Sequence, residues 1–64
     1  MVLSDLNVGQ KFETNAYNVQ GVKKVIQGEV IKLYEEDGEK FYIVESEGKV
    51  FPLNPNSIIN RIIK

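Results

Sequence analysis

Valine and isoleucine fill 15 of the 64 positions, while alanine appears once. β-Branched side chains lose rotamer freedom in a helix and pack well on a pleated surface. The chain is therefore pushed toward strands before any motif is considered. Without cysteine there is no disulfide framework to staple those strands. A domain of this length buries only about 60% of the surface its unfolded chain exposes. Residues 1–64 are thus expected to form a single small β domain in which each strand depends on its neighbours.

Turn formers divide the apolar runs. In Met1–Gln10, Ser4 and Asp5 are placed to cap one helical turn, and Gly9 to turn into the next segment. Lys11–Thr14 reads as a short first strand. The asparagine-rich Asn15–Gly21 reads as an irregular loop, which Tyr17 and Val19 should fold back onto the body. Val22–Tyr34 looks like one long strand whose alternation changes phase: Val22, Ile26 and Val30 share a face with Lys24 and Lys32, and Val25, Ile31 and Leu33 share the other. Gly28 lies at that change, where a glycine marks a bulge or a sharp bend. A bent strand serving two sheets is expected there. Asp37-Gly38 is the strongest hairpin signal in the chain. Lys40–Glu45 follows as a strand, Ser46-Glu47-Gly48 as a second tight turn, and Lys49–Leu53 as the returning strand, giving a three-stranded antiparallel meander.

The tail, NPNSIINRIIK, supports two readings. Asn54 as N-cap, Pro55 at the first helical position and a stripe of Ile58, Ile59, Ile62 and Ile63 would make a short C-terminal helix after the meander. Four isoleucines in so short a segment make a poor helix. The preferred expectation is a 3₁₀ turn at Pro55–Ile58 followed by a closing strand, Ile59–Ile63. On that reading the fold is all-β and five-stranded.

Five short strands, a long loop after the first, two tight hairpins and a 3₁₀ turn before the last strand resemble the Src-homology-3-like barrel. Over about the last 40 residues the resemblance is one of strand order. Its motif is Gly48-Lys49-Val50-Phe51-Pro52-Leu53-Asn54, similar to the glycine, strand, proline, polar, asparagine pattern that ends the family's fourth strand. The resemblance implies a small antiparallel barrel, with Phe51 packed inward and Pro52 ending a strand. Signalling members hold proline-rich peptides on an aromatic groove. That groove needs an Ala-Leu-Tyr-Asp-Tyr-like first strand and a tryptophan opening the third. Here Lys11-Phe12-Glu13-Thr14 and Phe41-Tyr42 stand in those places, and Pro55 replaces the last groove tyrosine. The implied surface is instead an edge where Tyr17, the hairpin residues Glu36 and Asp37, Tyr42, Pro52, Asn54 and Pro55 meet.

Chemistry has few carriers. With neither cysteine nor histidine there is no thiolate or imidazole metal site and no histidine base for Ser4, Ser46 or Ser57. The glycines are separate turn residues, not a phosphate loop. No enzyme activity and no cofactor are expected. No apolar run approaches a membrane span or a signal-peptide core, so a cytoplasmic protein is expected.

A net charge of −1, with six of the nine acids between residues 35 and 48, disfavours a phosphate-binding surface. Against that, Gly28-Glu29-Val30-Ile31-Lys32-Leu33 is similar to the glycine-started strand of KOW-type nucleic-acid modules. On that alternative, Lys11, Lys23, Lys24 and Lys32 with Tyr34 would form the contact surface. The surplus of apolar side chains favours a non-catalytic protein-interaction or accessory module, with an unidentified partner or a second copy paired through the last strand.

Overall fold

The computed structural model describes residues 1–64 and is all-β apart from one 3₁₀ turn at Leu3–Asp5. Five antiparallel strands follow: β1 Lys11–Tyr17, β2 Lys23–Glu36, β3 Glu39–Ser46, β4 Lys49–Leu53 and β5 Arg61–Ile63. They form one sheet in the order β4-β3-β2-β1-β5. β4 and β5 are its two edges and do not pair with each other, so the sheet is open.

The meander is present as expected, and both hairpins have a local cause. Asp37 and Gly38 have φ of 51° and 79°, and Glu47 and Gly48 have φ of 54° and 77°. Positive φ at both central residues is what the two-residue type I′ turn demands, because its twist matches that of the strands it joins. Aspartate and glycine adopt this readily, whereas glutamate at Glu47 pays a steric cost of about 1–2 kcal/mol. Glu47→Asn should therefore raise stability by several tenths of a kcal/mol and up to about 1 kcal/mol. The gain is net of the exposed ion pair between Glu47 and Lys24, at 3.1 Å, which is worth little. A urea titration reads the change, and an unchanged or lower midpoint would refute the strain.

β2 is the spine of the sheet. Its first half pairs with β1, from Tyr17↔Lys23 to Lys11↔Glu29, and its second half pairs with β3, from Glu29↔Glu45 to Glu36↔Glu39. The change of phase seen in the sequence is real, but its place is Ile31, not Gly28: the register slips between Val30 and Lys32, so Ile31 and Lys32 together oppose Ile43. Gly28 continues the strand and is needed for close approach. A β-carbon there would lie 2.9 Å from the Glu45 carbonyl oxygen and 3.0 Å from Phe12 Cζ.

Before the slip, Ile26, Gly28 and Val30 face inward; after it, Leu33 stands opposite buried Tyr42 but remains 47% exposed. Phe12 and Thr14 of β1, Val44 and Ser46 of β3, and Ile62 of β5 point the same way. Phe51 and Leu53 of β4 pack half-buried on this core, in the inward orientation expected for Phe51. Leu3, Leu6 and Ile59 cover one end. The buried hydroxyls of Thr14 and Ser46 are satisfied: Thr14 Oγ1 donates to the Ile58 carbonyl at 2.6 Å and Ser46 Oγ to the Gln27 carbonyl at 2.7 Å.

Three local expectations change. β1 runs on to Tyr17 because Asn15, Ala16 and Tyr17 find partners in Val25, Lys24 and Lys23. Only a tight loop remains, held by Asn18 Oδ1, which accepts from the Gln20 and Val22 N–H groups. Val19 at its tip is fully exposed instead of folded back. In the tail, the turn at Pro55-Asn56 closes through Ser57 N–H to the Asn54 carbonyl at 3.0 Å, without helix, and the last strand is only Arg61–Ile63. The N-terminal segment has taken the tail's backbone groups. Leu3 N–H donates to the Ser57 carbonyl, Ser4 N–H to that of Pro55, and Ile59 N–H to that of Met1. At the chain start Asp5 does bind back, its carboxylate accepting the Val2 N–H at 3.0 Å.

Candidate functional site

The main concavity is an apolar groove of about 570 Å³ between β1, β4 and the tail. Thr14, Asn15, Ala16 and Tyr17 form one wall, Phe51 and Leu53 the other, Ile26 the floor, and Ser57 and Ile58 one end. Alternation would give a groove only every second residue of a strand lying beneath it. Four consecutive residues of β1 border this one, so it reaches past the face of the strand to its edge.

That edge is open. Val30 N–H donates to the Gln10 carbonyl and Asn18 N–H to the Val22 carbonyl. The alternation of an antiparallel ladder between these two bonds turns the even-numbered residues of β1 toward β2 and the odd-numbered ones away. β5 covers only Lys11–Glu13 on the far side, and the last bond there is Asn60 N–H to the Glu13 carbonyl at 2.8 Å. At Asn15 and Tyr17 no strand pairs with the outward backbone groups. The side chain of Asn15 is held by Asn60 Nδ2 at 2.9 Å.

β4 faces the groove across the gap. Its two-residue hairpin makes Ser46↔Lys49 a bonded pair, and alternation extends this to Val44↔Phe51 and Tyr42↔Leu53. Pro52, opposite Ile43, therefore turns its missing N–H away from β3, and the strand continues to Leu53 without loss.

The residues expected to form one surface separate into three places. Tyr17 lines the groove. Pro52 and Asn54 are exposed at β4 and just beyond it, and half-buried Pro55 gives its carbonyl to Ser4. Glu36 and Asp37 sit at the β2–β3 tip, away from the groove lining. Tyr42 belongs to the core: it is 9% exposed, with its hydroxyl 3.5 Å from the Ser4 carbonyl. It shares the inward face with Val44, whereas its neighbours Phe41 and Ile43 are half-exposed. Ala16, Ile26, Leu53, Ser57 and Ile58 were not singled out by the sequence. Only the apolar surplus of the tail hinted at Ile58, which is 68% exposed.

The lysines do not form one surface either. Lys11 lies opposite Glu29 in the β1–β2 ladder, and the Lys24 ammonium is committed to Glu47. Lys32 sits at the slip opposite Ile43. Tyr34 donates its hydroxyl to Glu36 Oε2 at 2.7 Å. That bond first, and partial desolvation second, raise the phenol's pKa above its ordinary value. A second, shallower hollow of about 250 Å³ is polar, with Glu29, Glu45 and Glu47 beside Lys11. No group of acidic side chains is arranged to hold a metal ion, and no helix is long and apolar enough to cross a membrane. Compared with protein-family models, curated proteins and solved structures, the chain matches none.

Proposed function

We propose that this chain is a small non-catalytic interaction module of the Src-homology-3-like barrel type, working in the cytoplasm, and that it holds an apolar segment of a partner protein in the groove between β1 and β4. The observation that carries this reading is the groove itself: Ala16, Ile26, Phe51, Leu53 and Ile58 present apolar surface to solvent at the gap between two strand edges. Contiguous surface of this kind on so small a domain is what a partner covers. The shared spine strand, the two hairpins and the turn before the last strand support the barrel assignment.

Panning a random peptide library on the protein, followed by amide-shift mapping of the selected peptides, tests it. Selected peptides should shift Ala16, Tyr17, Phe51 and Ile58, and Ile58→Asp should abolish their binding while leaving the unfolding midpoint in place, since that side chain is exposed. Failure to enrich any peptide, or shifts confined to another face, would refute the groove as the site.

The KOW-like alternative makes a different demand. With a net charge of −1 and Lys24 paired to Glu47, few counterions would be released on a nucleic acid. Fluorescence anisotropy with labelled single- and double-stranded oligonucleotides should give only weak binding at about 150 mM salt, vanishing steeply as salt rises. Sub-micromolar affinity under those conditions would favour nucleic acid over the protein-binding reading.

A further inference from the structure

We infer that the groove's occupant is an extended peptide strand, alternating apolar and acidic residues, which adds to the free edge of β1 at Asn15–Tyr17. The inference rests on the interaction-module reading and specifies its ligand. A strand that joins a sheet edge needs unpaired backbone groups to bond with and pockets for every second side chain. Both are present. Asn15 and Tyr17 direct their N–H and carbonyl groups away from β2, beyond the reach of β5. Beside that edge, Ala16, Ile26 and Phe51 form an apolar seat for a side chain pointing inward.

Charge selects among such strands. No ionised residue lines the groove. Lys23 is the cross-strand partner of Tyr17 and shares its outward face, whereas Lys49 lies two positions from Phe51 on the inward face of β4. Neither lysine has an acidic partner, because the ion pairs of the chain are Lys24–Glu47 and Arg61–Glu13. Glu13, two positions from Asn15 on β1, is paired with Arg61, and Glu47 with Lys24. Of the other acids, Glu35, Glu36, Asp37 and Glu39 stand at the β2–β3 tip, Glu29 and Glu45 line the second hollow, and Asp5 is bound to the Val2 N–H. An incoming strand that alternates apolar with acidic residues would turn its apolar side chains into the seat and its carboxylates to the outward face, where unpaired Lys23 stands.

Fluorescence anisotropy with capped hexapeptides, titrated with the protein, tests this directly. The probes are a peptide alternating glutamate with valine or leucine, its lysine counterpart, and the glutamate peptide N-methylated on alternate amides. The glutamate peptide should bind about tenfold more tightly than the lysine peptide. N-methylation in the phase that faces β1 should weaken it about tenfold, with the opposite phase tolerated. On the protein, Asn15→Pro removes the edge donor and should weaken binding similarly. Asn15→Ala keeps that N–H while losing the side-chain bond to Asn60, and should bind more tightly than Asn15→Pro. Lys23→Glu should abolish the preference for the glutamate peptide, and Lys49→Glu, on the inward face, should change it less.

Equal binding of the glutamate and lysine peptides, or indifference to N-methylation in both phases, would overturn the inference even if Asn15→Pro failed to fold. The two readings fail separately. Library peptides that occupy the groove without depending on edge amides or carboxylates would leave the module standing and remove the added strand. Absence of any groove-binding peptide would remove both.

Discussion

Phe12→Ala is expected to remove a large share of the protein's folding stability. Phe12 is 1% exposed and is the largest fully buried side chain. It pairs with Gly28 of β2 on one side and Ile62 of β5 on the other. Truncating a buried phenylalanine costs about 3–5 kcal/mol, as lost transfer free energy plus the cavity left behind. A domain of this size has about 3–10 kcal/mol in total. Urea titration should show the transition moved well toward zero denaturant. Val19→Ala, at a fully exposed loop position, should stay within about 0.5 kcal/mol of wild type. A Phe12→Ala protein of normal stability would mean that the sheet does not close over this residue.

Gly28→Ala should be the second most damaging change, although it adds one methyl group. The new carbon would meet the Glu45 carbonyl at 2.9 Å and the Phe12 ring at 3.0 Å. The first is backbone of the neighbouring strand and the second is the centre of the core, so neither yields cheaply. Overpacking of this kind costs about 1–3 kcal/mol. The contact with Phe12 also makes the two sites interdependent. In a Phe12→Leu background the ring contact disappears, so Gly28→Ala should cost less there than in wild type, a non-additivity of about 0.5 kcal/mol or more. Urea midpoints of the two single variants and the double variant measure it. Strict additivity would show that the clash is with Glu45 alone, and a neutral Gly28→Ala would show that the strands stand further apart than in this structure.

Gly28 also shows where reading the sequence stops. A glycine inside an apolar run signals either a bulge or a close approach, and the residue itself is the same in both cases. The slip instead falls at Ile31, a side chain with no local preference for it, between the pairs Val30↔Val44 and Leu33↔Tyr42. The candidate site has the same character. Tyr17 was legible as an apolar residue out of place, but its neighbours in the groove, Phe51 and Ile58, are 34 and 41 positions away in the chain. Tyr42 resembles Tyr17 in the sequence and lies in the core, since nothing in the run Lys40–Glu45 says which phase faces inward.

By itself, the sequence determined whatever depends on a few consecutive residues. The β-branched composition imposed strands, Asp37-Gly38 and Glu47-Gly48 imposed turns with positive φ, and the three strands between and beside those turns had to form a meander. Tertiary structure alone decided which partner each edge found. β1 extends to Tyr17 because the first half of β2 lies alongside it, and the tail's last strand is short because the N-terminal turn claims the Pro55 and Ser57 carbonyls. The groove exists because β5 stops at Glu13 on β1 and leaves Asn15–Tyr17 uncovered. Backbone preference is a property carried by each residue, whereas burial and pairing depend on residues brought together from distant parts of the chain, and the free energy of those contacts exceeds the local preferences they override.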